Sequence, residues 1–143
     1  MRHLLLGLLA ATSAQAHVTL EQTQAPAGSA YKAVLRVGHG CEGTATHTLR
    51  VRVPAGLRNP HPMPKPGWAL ETGRSAEGAT EITWRASSRD NWLADAHYDE
   101  FVLRGQTPPT PGTLSFQVLQ LCEKGQGDWS TDLNVLPPTG AKP

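Results

Sequence analysis

Excess charge, cysteine and long apolar runs are all scarce in this 143-residue chain. Thirteen Lys and Arg stand against twelve Asp and Glu, a formal net charge of +1. A balanced chain with no basic cluster is poorly suited to nucleic acid or to an anionic membrane surface. The one apolar run, Leu4 to Ala11, is too short to span a bilayer, which takes about 20 residues. No second run follows that could anchor the chain, and there is no lipobox cysteine. Helix signals are nearly absent, and so are catalytic motifs: no Gly-rich phosphate loop, no HExxH, no GxSxG. Asp99-Glu100 is a carboxylate pair, but neighbours on a strand face opposite sides and cannot share acid–base work. No enzyme signature emerges.

What is present begins at the N-terminus. Arg2 and His3, the apolar Leu4–Ala11 and the small residues of Ala14-Gln15-Ala16 read as a secretory signal peptide over residues 1–16. Cleavage after Ala16 leaves 127 residues, the size of one domain, in the periplasm or secreted from the cell. It also makes His17 the first residue. A terminal histidine can close a six-membered chelate ring on one metal ion through its α-amine and its own Nδ1. An α-amine titrates near about 7.7–8.0 and an imidazole near about 6.5, so both give up protons to a metal at neutral pH. Two adjacent nitrogens suit the tetragonal geometry of Cu(II). The alternative is a histidine of no consequence that cleavage happens to expose.

The two cysteines, Cys41 and Cys122, both lie in the exported part. In an oxidising compartment an even pair is most simply a disulfide. Its rival is a two-thiolate Cu(I) site, for which so wide a separation offers no local spacing.

The patterning is β throughout. Tyr31, Ala33, Leu35 and Val37 alternate with Lys32, Val34 and Arg36, and Leu49, Val51 and Val53 alternate with Arg50 and Arg52. Period two is the mark of a half-buried strand. Further strands are expected at His17–Leu20, Glu81–Arg85, Tyr98–Arg104 and Thr113–Leu121, with Phe116, Val118 and Gln120 sharing a face. Weaker ones are expected at Trp68–Glu71 and Trp129–Thr131. Residues 22–28 read as a turn. Twelve prolines and fourteen glycines punctuate the intervals. This predicts an all-β fold, a single-domain antiparallel β-sandwich of immunoglobulin-like type over 17–135, with a Pro-rich tail at 136–143.

Other candidates are weaker. Glu21 faces the same way as His17 in an extended strand but about 13 Å off, too far to share a metal. Residues 62–68 read as a stiff polyproline-like loop ending in Trp68. Met63 with His61 is a candidate soft Cu(I) pocket, though one Met and one His on a surface loop are usually nothing. Trp129, in a Gly-rich turn, is either core or a cover over something.

Several segments taken together resemble the YcnI-like family of exported bacterial copper-binding domains. They are His17-Val-Thr-Leu-Glu, Ala25-Pro-Ala-Gly-Ser, Pro62-Met-Pro-Lys-Pro-Gly-Trp68, Tyr98-Asp-Glu-Phe101 and Leu119-Gln-Leu-Cys-Glu-Lys-Gly125, with Trp129 following. They occur in family order from 17 to about 131. The resemblance implies Cu(II) held by the N-terminal histidine through amine and imidazole, a single-histidine brace, with a carboxylate and a tryptophan nearby. Position by position, the brace falls on His17, the tryptophan on Trp129 and the carboxylate on Glu100, with Glu71 as the second candidate. It also implies copper homeostasis, and a separate copper chaperone or copper importer as partner. Longer relatives carry a second copper-chaperone domain or a C-terminal membrane helix. This chain ends soon after the domain, so no membrane anchor is expected and metal transfer is expected to depend on a separate partner; a monomer is expected as well.

Two other functional classes stay open. Oxidative copper enzymes of histidine-brace type add a second, internal histidine, and His39, His47, His61 and His97 are the internal histidines here. A metal-free secreted sandwich that binds protein is the other.

Overall fold

A computed structural model describes residues 17–140. The expected signal peptide, 1–16, lies outside the described residues. Ten strands follow in order: β1 Thr19–Leu20, β2 Gln24–Pro26, β3 Ala30–Val37, β4 Thr46–Arg52, β5 Arg58–Pro62, β6 Trp68–Arg74, β7 Thr80–Ala86, β8 Asp99–Gln106, β9 Gly112–Cys122 and β10 Gln126–Leu136. A 3-10 turn, Arg89–Asn91, precedes β8. They form two facing sheets, β1-β3-β8-β5 and β2-β10-β9-β4-β7-β6. The expected sandwich is the observed architecture.

Alternation built it as read. Tyr31, Ala33, Leu35 and Val37 are all buried, as are Leu49, Val51 and Val53, and Phe116, Val118 and Gln120 on β9. Facing rows from the two sheets interdigitate around Trp84 and Phe101, whose rings meet edge to face at 5.7 Å. The Trp84 indole N–H, carried into the core, donates to the Met63 carbonyl at 3.0 Å.

Three elements depart from the sequence reading. The expected turn at 22–28 contains β2, which runs parallel to β10, the one parallel ladder among the described strands. Ala25 and Ala27 are small enough to enter the core there, and Pro26 is tolerated because β2 is an edge. The weak strand at 129–131 is the middle of the eleven-residue β10. Its outward Asp128, Ser130, Asp132 and Asn134 are poor strand formers, and pairing with β9 from Gln126↔Leu121 to Val135↔Gly112 overrides that preference. Leu136 belongs to this strand, its carbonyl accepting from the Ala27 N–H at 2.8 Å, so the tail starts one residue later than expected. Finally, the stretch before the proline-rich loop forms β5, an edge strand against β8, which the alternating prolines had masked.

Cys41 and Cys122 are joined in a disulfide, Cα–Cα 5.8 Å. It ties the loop that leaves β3, in one sheet, to the end of β9 in the other.

Candidate metal centre

His17 enters the fold through its successors. Val18 and Leu20 are buried in the core, and the Leu20 N–H donates to Thr131 Oγ1 on β10 at 3.1 Å. That bond pins β1 across the open seam between the sheets. Upstream of it, the exposed His17 ring lies edge-on to the Trp129 indole, centroids 4.9 Å apart and planes at 67°.

Trp129 is held from beneath. Its indole N–H donates to Gln120 Oε1 at 3.0 Å. The Gln120 amide in turn donates to the His39 carbonyl at 2.9 Å and to Thr46 Oγ1 at 2.8 Å. Gln120 is 0% exposed, so each of these bonds offsets a desolvation cost that nothing else would meet. The indole can lie where it does because residue 127 is glycine. A Cβ there would stand 2.4 Å from Trp129 Cζ2, a contact no real structure holds.

Gly127→Ala forces the indole off Gln120 and should cost about 1–3 kcal/mol, the usual range for overpacking. Thermal melts would show it, and the same substitution should be nearly neutral in a Trp129→Ala background. An equal loss in both backgrounds would mean that the glycine serves the backbone rather than the ring.

The candidate carboxylates are placed very differently. Glu100 lies on β8, half-buried, in the cross-strand row Thr19–Arg36–Glu100 on the outer face of the sheet that holds β1. It stands two strands from β1, about 10 Å, with Arg36 between. The Arg36 guanidinium donates to Thr19 Oγ1 at 3.1 Å. Phe101, its neighbour, faces the core as expected. Glu71 sits exposed on β6, four strands from β10, about 19 Å, and pairs with Arg85 at 3.4 Å. His17 and Trp129 are therefore together, Glu100 stands in the sheet that holds β1, and Glu71 stands in the sheet that holds Trp129, four strands away from it. Among the described residues, no group of three or more His, Cys, Asp or Glu is arranged to hold a metal. His39 joins the network through its backbone carbonyl, and His47 packs on Trp92, centroids 5.1 Å apart.

Gln120 and Gly127 were not read as site residues in the sequence. A glutamine falling on an apolar face after Phe116 and Val118 was the available signal, because a buried amide must find partners.

A family model described as a domain of unknown function, DUF1775, matches residues 17–141, beginning at His17 itself. The chain belongs to the DUF1775 family. No curated protein matches it. Among solved structures, the DUF1775 domain is similar to an uncharacterized protein from Nocardia farcinica with an immunoglobulin-like fold. Identity there is 21%, covering 83% of this chain and 97% of that one, with a TM-score of 0.70. It is also similar to a cohesin module of a Clostridium perfringens family 33 glycoside hydrolase, at 13% identity, 85% and 97% coverage and TM-score 0.59. The bacterial hydrophobin BslA follows at 16% identity, 87% and 95% coverage and TM-score 0.56. At these identities the likeness establishes the immunoglobulin-like sandwich of the DUF1775 domain. No helix among its described residues is long and apolar enough to cross a membrane.

Proposed function

We propose that this protein is an exported copper carrier that holds Cu(II) through His17 presented as the terminal residue. The α-amine and imidazole Nδ1 supply the two nitrogens of a single-histidine brace. The observation that carries this reading is the exposed His17 ring resting on Trp129, at the residue that signal cleavage would place first. A side chain held against a rigid, hydrogen-bonded indole loses less freedom on binding than a loose terminus would. The resemblance to the YcnI-like family points the same way. Trp129 has its N–H committed to Gln120, so its work is to shield and orient the imidazole rather than to ligate. Glu100, on the same sheet, is the carboxylate assigned to the site in preference to Glu71. Copper is cargo here, held for delivery to a copper chaperone or importer, with no turnover.

The test is a Cu(II) titration of protein beginning at His17, followed by EPR. One equivalent per chain with nitrogen coupling is expected, and His17→Ala should abolish that spectrum. An unchanged spectrum in His17→Ala would place the metal elsewhere. Quenching separates the role of Trp129. Cu(II) should quench tryptophan fluorescence strongly in the native protein and much less in Trp129→Phe, where Trp68, Trp84 and Trp92 remain as reporters. Equal quenching in both proteins would remove Trp129 from the site.

A further inference from the structure

Across the first sheet from His17, at its other edge, lies a second pair of donors. The segment is Pro60-His61-Pro62-Met63-Pro64, in which each potential ligand is flanked by proline on both sides. Proline fixes its own φ and confines the residue before it to extended conformations. His61 and Met63 are thus locked in the β region two residues apart, which points both side chains to one face. The ladder to β8 holds them there, with His61 opposite Arg104 and the Met63 N–H on the Val102 carbonyl at 2.8 Å. Both side chains are open to solvent, Met63 at 50% exposure.

The His61 ring is also oriented as a ligand. Asn59 adopts a left-handed φ of 50° at the irregularity where β5 slips against β8. Its carbonyl lies 2.9 Å from His61 Nδ1. A carbonyl can only accept, so Nδ1 carries the proton and Nε2 keeps its lone pair for a ligand. Fixing one ring nitrogen through a carbonyl is how metal-binding histidines are generally oriented. Left-handed backbone at a non-glycine residue also tends to gather at functional sites.

We propose that His61 Nε2 and Met63 Sδ form a separate two-coordinate site for Cu(I). A thioether beside an imidazole is a soft donor pair, which selects Cu(I) over hard divalent ions. The surroundings sharpen that choice. The row through His61 is Lys32–Arg104–His61 and the row through Met63 is Val34–Val102–Met63, and the carboxylate next along that face of β8, Glu100, sits one row further on, opposite Arg36. Repulsion from Arg104 and Lys32 counts twice against a dication and once against Cu(I). β5 lies three strands from β1, about 14 Å, so this site shares no ligand with His17 and does not depend on the Cu(II) reading.

Protein beginning at His17, with its disulfide intact, would be titrated anaerobically with Cu(I) as its acetonitrile complex against a chromogenic Cu(I) chelator. X-ray absorption would then examine the bound metal. Met63 is the one thioether left once Met1 is removed, and both cysteines are in the disulfide, so a sulfur neighbour identifies it. Sulfur and nitrogen around copper are expected. Met63→Leu, which conserves volume at an exposed position, should remove the sulfur signal and weaken Cu(I) binding tenfold or more. His61→Ala should weaken it similarly, while His17→Ala keeps the sulfur signal. No sulfur neighbour in the unsubstituted protein, or unchanged Cu(I) affinity in Met63→Leu, overturns the proposal.

Discussion

One alanine added ahead of His17 is expected to weaken Cu(II) binding by roughly a thousandfold or more, ~4 kcal/mol at about 1.4 kcal/mol per decade, with the melting temperature unchanged. The extension deletes no atom of His17. It converts the α-amine into an amide, whose nitrogen lone pair is delocalised into the peptide bond and is a poor donor. The imidazole still rests on Trp129, because the bonds that place it, through Val18 and Leu20 to Thr131, lie downstream. The proton dependence supplies a second signature. Metal binding at the brace displaces a proton from each nitrogen that carries one. Affinity should therefore fall as pH drops, and more steeply where two ligand nitrogens bind competing protons than where one does. In the extended protein the His17 nitrogen is an amide and carries no competing proton, so the pH slope should change with the affinity. Competition titrations from pH 5 to 8 would measure both. Equal affinity and equal pH slopes in the two proteins would mean that the terminal amine is not a ligand.

Replacing both cysteines should be the most damaging change to the fold. The disulfide closes a loop with a sequence separation of 81 residues. In the chain-entropy model, a loop of that size constrains the unfolded chain by about 4.5 kcal/mol at 25 °C. A domain of this size loses about 4 °C of melting temperature per kcal/mol, so Cys41→Ala with Cys122→Ala should melt roughly 18 °C lower. The loss should also reach the proposed copper site. Cys122 ends β9 two residues after Gln120, and Thr46, which accepts from Gln120, lies 3.6 Å from Cys122 Sγ. Loosening that corner releases the amide on which the Trp129 indole is hung. Thiol titration of the unreduced, unfolded protein should find no free thiol. A melting shift under 3 °C would show that the two sheets hold that corner without the bridge.

How much was legible follows from the range over which each feature is decided. Tyr31 to Val37, Leu49 to Val53 and Phe116 to Gln120 announced their buried faces because side-chain alternation is a property of the strand alone. β10 did not, since its outward residues disfavour strand and only the ladder to β9 compensates for them. β2 and β5 were hidden by proline and alanine, residues that make an edge strand only when a neighbouring strand is there to receive it.

The candidate site divides along the same line. By itself the sequence determined what is covalent or local: a small-residue cleavage pattern before His17, the chelating reach of a terminal histidine, and a disulfide with one pairing available to two cysteines. Only the tertiary structure decided that His17 meets Trp129, that Gln120 and Gly127 hold the indole in place, and that Glu100 rather than Glu71 shares a sheet with β1. The partners of those contacts lie far apart in the chain. No local periodicity encodes their distance, which is set when the two sheets close on a common core and β1 is pinned to β10 across the seam.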